Sequence, residues 1–119
     1  MDILIVDDES DTISDLKTIL EQLKHNVAAI VSDGEEAIQK AGDLNLDLIL
    51  IDIKLKGQIS GLEAANKIVD LYKIPIIYIT DFYKDCINKS LQLPEDAIIL
   101  SKPLKKDHLE YCISRAFFR

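Results

Sequence analysis

Five short apolar runs recur along the chain at fairly even intervals, at residues 3–6, 27–31, 46–51, 74–80 and 97–100. Most are nearly continuous in apolar character and rich in Ile and Val. That is the pattern of strands covered on both faces rather than strands with one wet side. Helical spacing fills the intervals. Ile13, Leu16, Leu20 and Leu23 step by three and four, as do Leu62, Ala65, Val69 and Tyr72. Ser10 or Asp11 is placed to cap the first helix. Asp33 with Glu36, and Ser60 with Glu63, have capping-box spacing for the second and third. A last helix follows Pro103, with Leu109, Ile113, Ala116 and Phe117 on one stripe. The segment between Thr80 and Pro94 is the weakest helix, with only Ile87 and Leu91 for an inner face. Five strand–helix alternations predict an α/β fold, a doubly wound five-stranded parallel sheet with helices on both faces and right-handed crossovers.

Composition narrows the class. At 119 residues the chain reads as one domain, 1–119, large enough to bury a core without a disulfide or structural metal. Hydrophobic residues are 48% and charged residues 29%, which is ordinary globular composition. The net charge of −7 argues against direct binding of nucleic acid, whose phosphates require clustered cations. No apolar run approaches the ~20 residues that span a bilayer, so no membrane partner is expected. The start, Met1-Asp2, has no basic region of the kind that opens a secretory signal. Cys86 and Cys112 make no disulfide framework and read as free thiols, which fits a cytoplasmic location.

Polar residues collect where the strands end. Asp7, Asp8 and Glu9 follow the first run, Asp52 closes the third, Thr80 the fourth, and Ser101-Lys102 follows the fifth. The carboxyl ends of parallel strands share one edge, where ligands bind in open α/β sheets. Folding therefore draws Asp7, Asp8, Asp52, Thr80 and Lys102 towards one pocket. Singly each has a plain explanation: a solvated turn, a strand-ending threonine, a loop Lys-Pro. Five at the same end of four strands form a site. Three carboxylates repel one another, and hard oxygen ligands in an incomplete cage suit Mg²⁺. Lys102 adds a point charge for a phosphoryl oxygen and Thr80 a hydroxyl donor. That inventory fits phosphoryl transfer to an aspartate.

On Ile5-Val6-Asp7-Asp8-Glu9, Asp52 closing a strand, Gly61-Leu62-Glu63-Ala64-Ala65 opening a helix, Thr80 and Lys102-Pro103, the whole chain resembles a response-regulator receiver domain of two-component signalling. The resemblance implies flavodoxin-like strand order 2-1-3-4-5. It implies Asp52 as phosphoacceptor, Asp8 as a direct Mg²⁺ ligand, Asp7 acting through water, and the main-chain carbonyl of Lys54 as a further ligand. Thr80 and Lys102 would contact the phosphoryl group, and the Lys102-Pro103 bond would be cis. The implied partners are a sensor histidine kinase or phosphotransfer protein as donor, and a downstream protein or fused output domain. Such a domain is no turnover enzyme; it catalyses only its own phosphorylation and dephosphorylation.

Three positions depart from the family pattern. Asp81 follows Thr80 where a small residue is usual. The loop Lys54-Leu55-Lys56-Gly57 lacks the usual proline and is one residue longer before Gly61. Ile99 stands where an aromatic is common. With no ring at 99 to swing, residues 81–93 are expected to carry the conformational response instead. Two rival functions are weighed against the receiver. A haloacid-dehalogenase-like phosphatase needs a second Asp two residues after the nucleophile, and position 54 is Lys. A receiver-like module that signals without phosphate would not need the full acidic set and Lys102. P-loop chemistry is excluded because its G-x-x-x-x-G-K-[ST] motif is absent. His25 and His108 read as surface helix positions, the two cysteines as half-buried hydrophobes, and Tyr111 and Phe118 as residues off the inner stripe of the last helix.

Overall fold

The computed structural model describes residues 1–81 and 93–117. In chain order it forms β1 (Asp2–Val6), α1 (Ser10–Gln22), β2 (Asn26–Val31), α2 (Gly34–Asp43), β3 (Leu48–Asp52), α3 (Gly61–Tyr72), β4 (Ile76–Thr80), β5 (Ile98–Ser101) and α4 (Lys106–Phe117). All strand pairs are parallel, in the order β2-β1-β3-β4-β5. The order reverses direction between β1 and β3, and this switch point is where the acidic residues lie. The weak helix expected around Ile87 and Leu91, Cys86, and Phe118 all lie outside the described residues.

Side chains alternate across a strand, so a continuous apolar run fills two layers at once. Ile3, Ile5, Leu48 and Leu50 face one side, against Leu16 and Leu20 of α1 and Leu109 and Ile113 of α4. Leu4, Val6, Ile49 and Ile51 face the other, against Ala37 and Ala41 of α2 and Ala64, Ala65 and Ile68 of α3. The small residues of α2 and α3 let those helices lie close to the sheet. Every residue of β3 and β4 is buried. Among the described residues the edge strands are not covered throughout: Ile30 of β2 and Ile99 of β5 are exposed.

Several local expectations are corrected. The inner stripe of α3 is Ala64, Ala65 and Ile68, while Val69 and Tyr72 face solvent. The large residues drew the stripe one position too far round, and the alanines carry the contact. Glu9, not Ser10 or Asp11, is the N-cap of α1, and its side chain makes no capping hydrogen bond. Asp33 accepts from the Glu36 amide at 2.8 Å, and Ser60 with Glu63 closes a full capping box. Phe117 is exposed, with Cys112 buried beside Leu109 and Ile113 in its stead. Tyr111 is exposed as expected, and Arg115 donates to its hydroxyl at 3.3 Å. His108 is an exposed helix residue, whereas His25 lies between α1 and β2 with Nδ1 3.3 Å from the Met1 amine.

Candidate functional site

Four strand ends set the site. Asp7 follows β1, Asp52 is the last residue of β3, Thr80 the last of β4, and Lys102 the first after β5. Parallel register lines them up: Val6 pairs with Ile51, Asp52 with Ile79, and Thr80 with Ser101. The Asp7 amide donates to the Val31 carbonyl at 3.1 Å and the Lys102 amide to the Thr80 carbonyl at 2.9 Å, extending the ladder past the strand ends. The Lys102-Pro103 peptide is cis, as the family resemblance implied.

Asp7, Asp8 and Asp52 each offer a carboxylate oxygen, all within 4.8 Å of one another. Asp7 and Asp52 are buried and Asp8 is half-buried. One Asp7 oxygen, Oδ1, accepts from the Glu9 amide at 2.9 Å; the other, Oδ2, is buried and has no hydrogen-bond partner among the described residues. Asp52 Oδ1 accepts from the Lys54 amide at 2.8 Å, and its Oδ2 receives Lys102 Nζ at 3.3 Å. The same ammonium lies 3.6 Å from Glu9 Oε2. Asp8 Oδ2 accepts from the Lys56 amide at 3.1 Å.

Burial raises the Asp7 carboxyl to about 6 from 3.8, with Asp52 and Glu9 adding to the shift against the Glu9 amide and Lys102. Burial also raises Asp52, although the Lys54 amide and Lys102 oppose it. Burial lowers Lys102, but Asp52, Asp7 and Glu9 outweigh it and hold the ammonium protonated above its usual range. The site therefore carries more negative charge than it neutralises. An orphaned buried oxygen within a triad of hard ligands is what a small divalent cation would satisfy, so the donor set fits Mg²⁺.

The β3–α3 loop is built around close approaches. Gly57 sits at φ 128°, a conformation side chains disfavour. Gly61 opens α3 so tightly against β3 that an added Cβ would fall 1.7 Å from the Asp52 carbonyl oxygen. Lys54 is exposed and reaches Asp52 through its amide. Asp81, next after Thr80, is half-buried.

Sequence reasoning expected Asp7, Asp8, Asp52, Thr80 and Lys102 together, and all five lie at this edge. It missed three features: Glu9 as a second partner of Lys102, the Lys56 amide on Asp8, and the Gly61 contact. A glycine opening the capped helix that follows the Asp52 strand was a readable signal for the last. The first two depend on side-chain and loop paths that no spacing encodes.

Comparison with known proteins agrees with this architecture. The family model of the response regulator receiver domain matches residues 3–114. The phyllosphere-induced regulator PhyR of Methylorubrum extorquens is 33% identical over 118 residues, covering 98% of this chain and 43% of that protein. The chain thus spans less than half the length of that relative. The receiver domain of a modulated diguanylate cyclase from Desulfovibrio desulfuricans superposes with a TM-score of 0.80 at 31% identity, covering 97% of this chain and 91% of that one. PhyR from Brucella abortus superposes with a TM-score of 0.83 at 29% identity, covering 98% and 47%.

Proposed function

This chain belongs to the response regulator receiver domain family, and on that premise we propose that residues 1–119 act as a single phosphoacceptor domain in which Asp52 takes a phosphoryl group from a phosphohistidine. The observation that carries the reading is the convergence on Asp52. Its carboxylate is buried, held at Oδ1 by the Lys54 amide and at Oδ2 by Lys102 Nζ, and flanked by Asp7 and Asp8. An Asp52 oxygen attacks phosphorus, the phosphorus–nitrogen bond breaks, and the imidazole leaves with the electron pair. An acyl phosphate results, and the change is passed on through a partner-binding surface.

Asp7, Asp8, Asp52 and the Lys54 carbonyl would hold Mg²⁺, which when bound offsets charge on the phosphoryl oxygens. Lys102 and the Thr80 hydroxyl face the same charge from the other strands. The donor would be a sensor histidine kinase or a phosphotransfer protein. The receiver of the signal would be a protein partner or a fused output domain, in keeping with the multidomain relatives. A PhyR from Bartonella quintana is an anti-anti-sigma factor, and protein–protein output of that kind suits an acidic chain better than nucleic-acid contact. Among the described residues no helix is long and apolar enough to cross a membrane, which is consistent with a cytoplasmic place of action. The haloacid-dehalogenase-like rival would need an Asp at position 54 as general acid, and Lys stands there.

With acetyl phosphate and Mg²⁺ the protein should gain one phosphoryl group, stable in acid and labile in base, and a chelator should prevent it. Steady release of phosphate from generic esters would favour the phosphatase rival instead.

Asp81 should tune the rate. A carboxylate next to the phosphoryl position opposes an incoming dianion, and two unit charges ~4 Å apart interact by roughly 1–4 kcal/mol depending on screening. Asp81→Ala is therefore expected to take up phosphate several-fold faster. An equal or slower initial rate would mean that this carboxylate lies away from the phosphoryl path.

A further inference from the structure

We propose that Glu9 is a positioning residue for Lys102, sharing its ammonium with Asp52 so that the cation stays at the mouth of the pocket throughout transfer. The inference rests on the reading of Lys102 as the cation that meets the phosphoryl group. Lys102 Nζ lies 3.3 Å from Asp52 Oδ2 and 3.6 Å from Glu9 Oε2. An ammonium has three N–H donors and can serve both carboxylates. Glu9 is itself steadied by the buried Thr12, whose hydroxyl donates to the same Oε2 at 3.4 Å. The two acidic partners differ in surroundings: the Asp52 side chain is 6% exposed and that of Glu9 62%. The lysine is thus suspended between a buried nucleophile and an open rim.

Transfer changes this balance. The Asp52 oxygen that bonds to phosphorus loses its charge, while the leaving group takes the electron pair of the broken bond. Lys102 then loses its buried anionic partner and gains phosphoryl oxygens placed further out. Glu9 keeps the ammonium on that outward side beforehand. Without the Glu9 charge Lys102 closes onto Asp52, the nucleophile is held more tightly, and the ammonium must move outward during the reaction.

The test uses the full chain with Glu9→Gln, an exposed and nearly isosteric change, and Thr12→Val as a second variant. In the metal-free protein the ¹⁵N signal of the Lys102 ammonium should shift in Glu9→Gln and less in Thr12→Val, but not in a Glu110→Gln control. With acetyl phosphate and saturating Mg²⁺ the maximal phosphorylation rate of Glu9→Gln should fall about two- to fivefold, the range for a partly exposed ion pair, with no rise in the half-saturating donor concentration. An unmoved ammonium signal overturns the proposal, and so does a moved signal with an unchanged maximal rate. A lower half-saturation alone would make Glu9 a simple repulsive charge at the rim, which also overturns it. Failure of the parent protein to accept any phosphoryl group would strike the phosphoacceptor reading, while the ammonium signal, which needs no transfer, would still decide the role of Glu9.

Discussion

Asp7→Asn should make the metal-free protein more stable at neutral pH and remove most of its stabilisation by Mg²⁺. Asp7 is fully buried and its Oδ2 has no hydrogen-bond partner among the described residues. Burial lifts its carboxyl from 3.8 to about 6, so the fold favours the protonated side chain. The sign follows directly. As pH rises through that interval the folded protein must ionise a group it would rather keep neutral, so metal-free stability falls, and the loss is complete above about pH 6. At 1.4 kcal/mol per pH unit the interval corresponds to roughly 3 kcal/mol, an upper value for what the neutral amide regains. Denaturant midpoints at neutral pH should rise accordingly, and the difference from the parent should close towards pH 4. With Mg²⁺ the order should reverse, since the parent gains binding energy that the variant lacks. A variant as well stabilised by Mg²⁺ as the parent would remove Asp7 from the ion's ligand set.

Gly61→Ala should be the most damaging single substitution at the site. The new Cβ would lie 1.7 Å from the Asp52 carbonyl oxygen and 2.7 Å from its carbon, both backbone atoms at the end of a buried strand. No rotamer relieves that contact, so α3 or β3 must shift. A cost of about 3 kcal/mol or more is expected, which lowers Tm by roughly 10 °C in a domain of this size. Gly42→Ala is the natural control. Its Cβ would meet the Tyr72 hydroxyl at 2.6 Å, the far end of an exposed side chain that can swing aside. Gly42 lies in the last turn of α2 at a helical position, where alanine also has the better helix propensity. That change should stay within about 1 kcal/mol of the parent. Equal losses at the two positions would mean that the α3–β3 contact yields easily and does not hold Asp52 in place.

The two substitutions mark where the sequence was legible. Fully buried strands announce themselves, because β3 must satisfy both faces and leaves no polar residue before Asp52. The chemistry was legible for the same reason. A carboxylate closing an otherwise apolar strand, repeated as Thr80 and Lys102 at the ends of β4 and just past β5, stands out against its surroundings. On α3 the expected Ala65 is buried, but Val69 and Tyr72 are exposed and Ala64 and Ile68 complete the inner face, because small residues fit where a helix lies close to the sheet. The edge strands β2 and β5 were expected to be covered, since Ile30 and Ile99 carry no sign of facing water. The Glu9–Lys102 and Lys56–Asp8 contacts were invisible because they join residues whose approach depends on how the loops fold back over the sheet edge.

The proposed phosphoacceptor role rests on Asp52, and one measurement addresses it directly. Parent protein and Asp52→Asn are incubated side by side with acetyl phosphate and Mg²⁺, and their intact masses are compared after mild acid quenching. The parent should gain the mass of a single phosphoryl group, lost again on brief treatment with base, while Asp52→Asn should gain none and keep the parent's fold by circular dichroism. A folded Asp52→Asn protein that still gains the base-labile group would contradict the assignment.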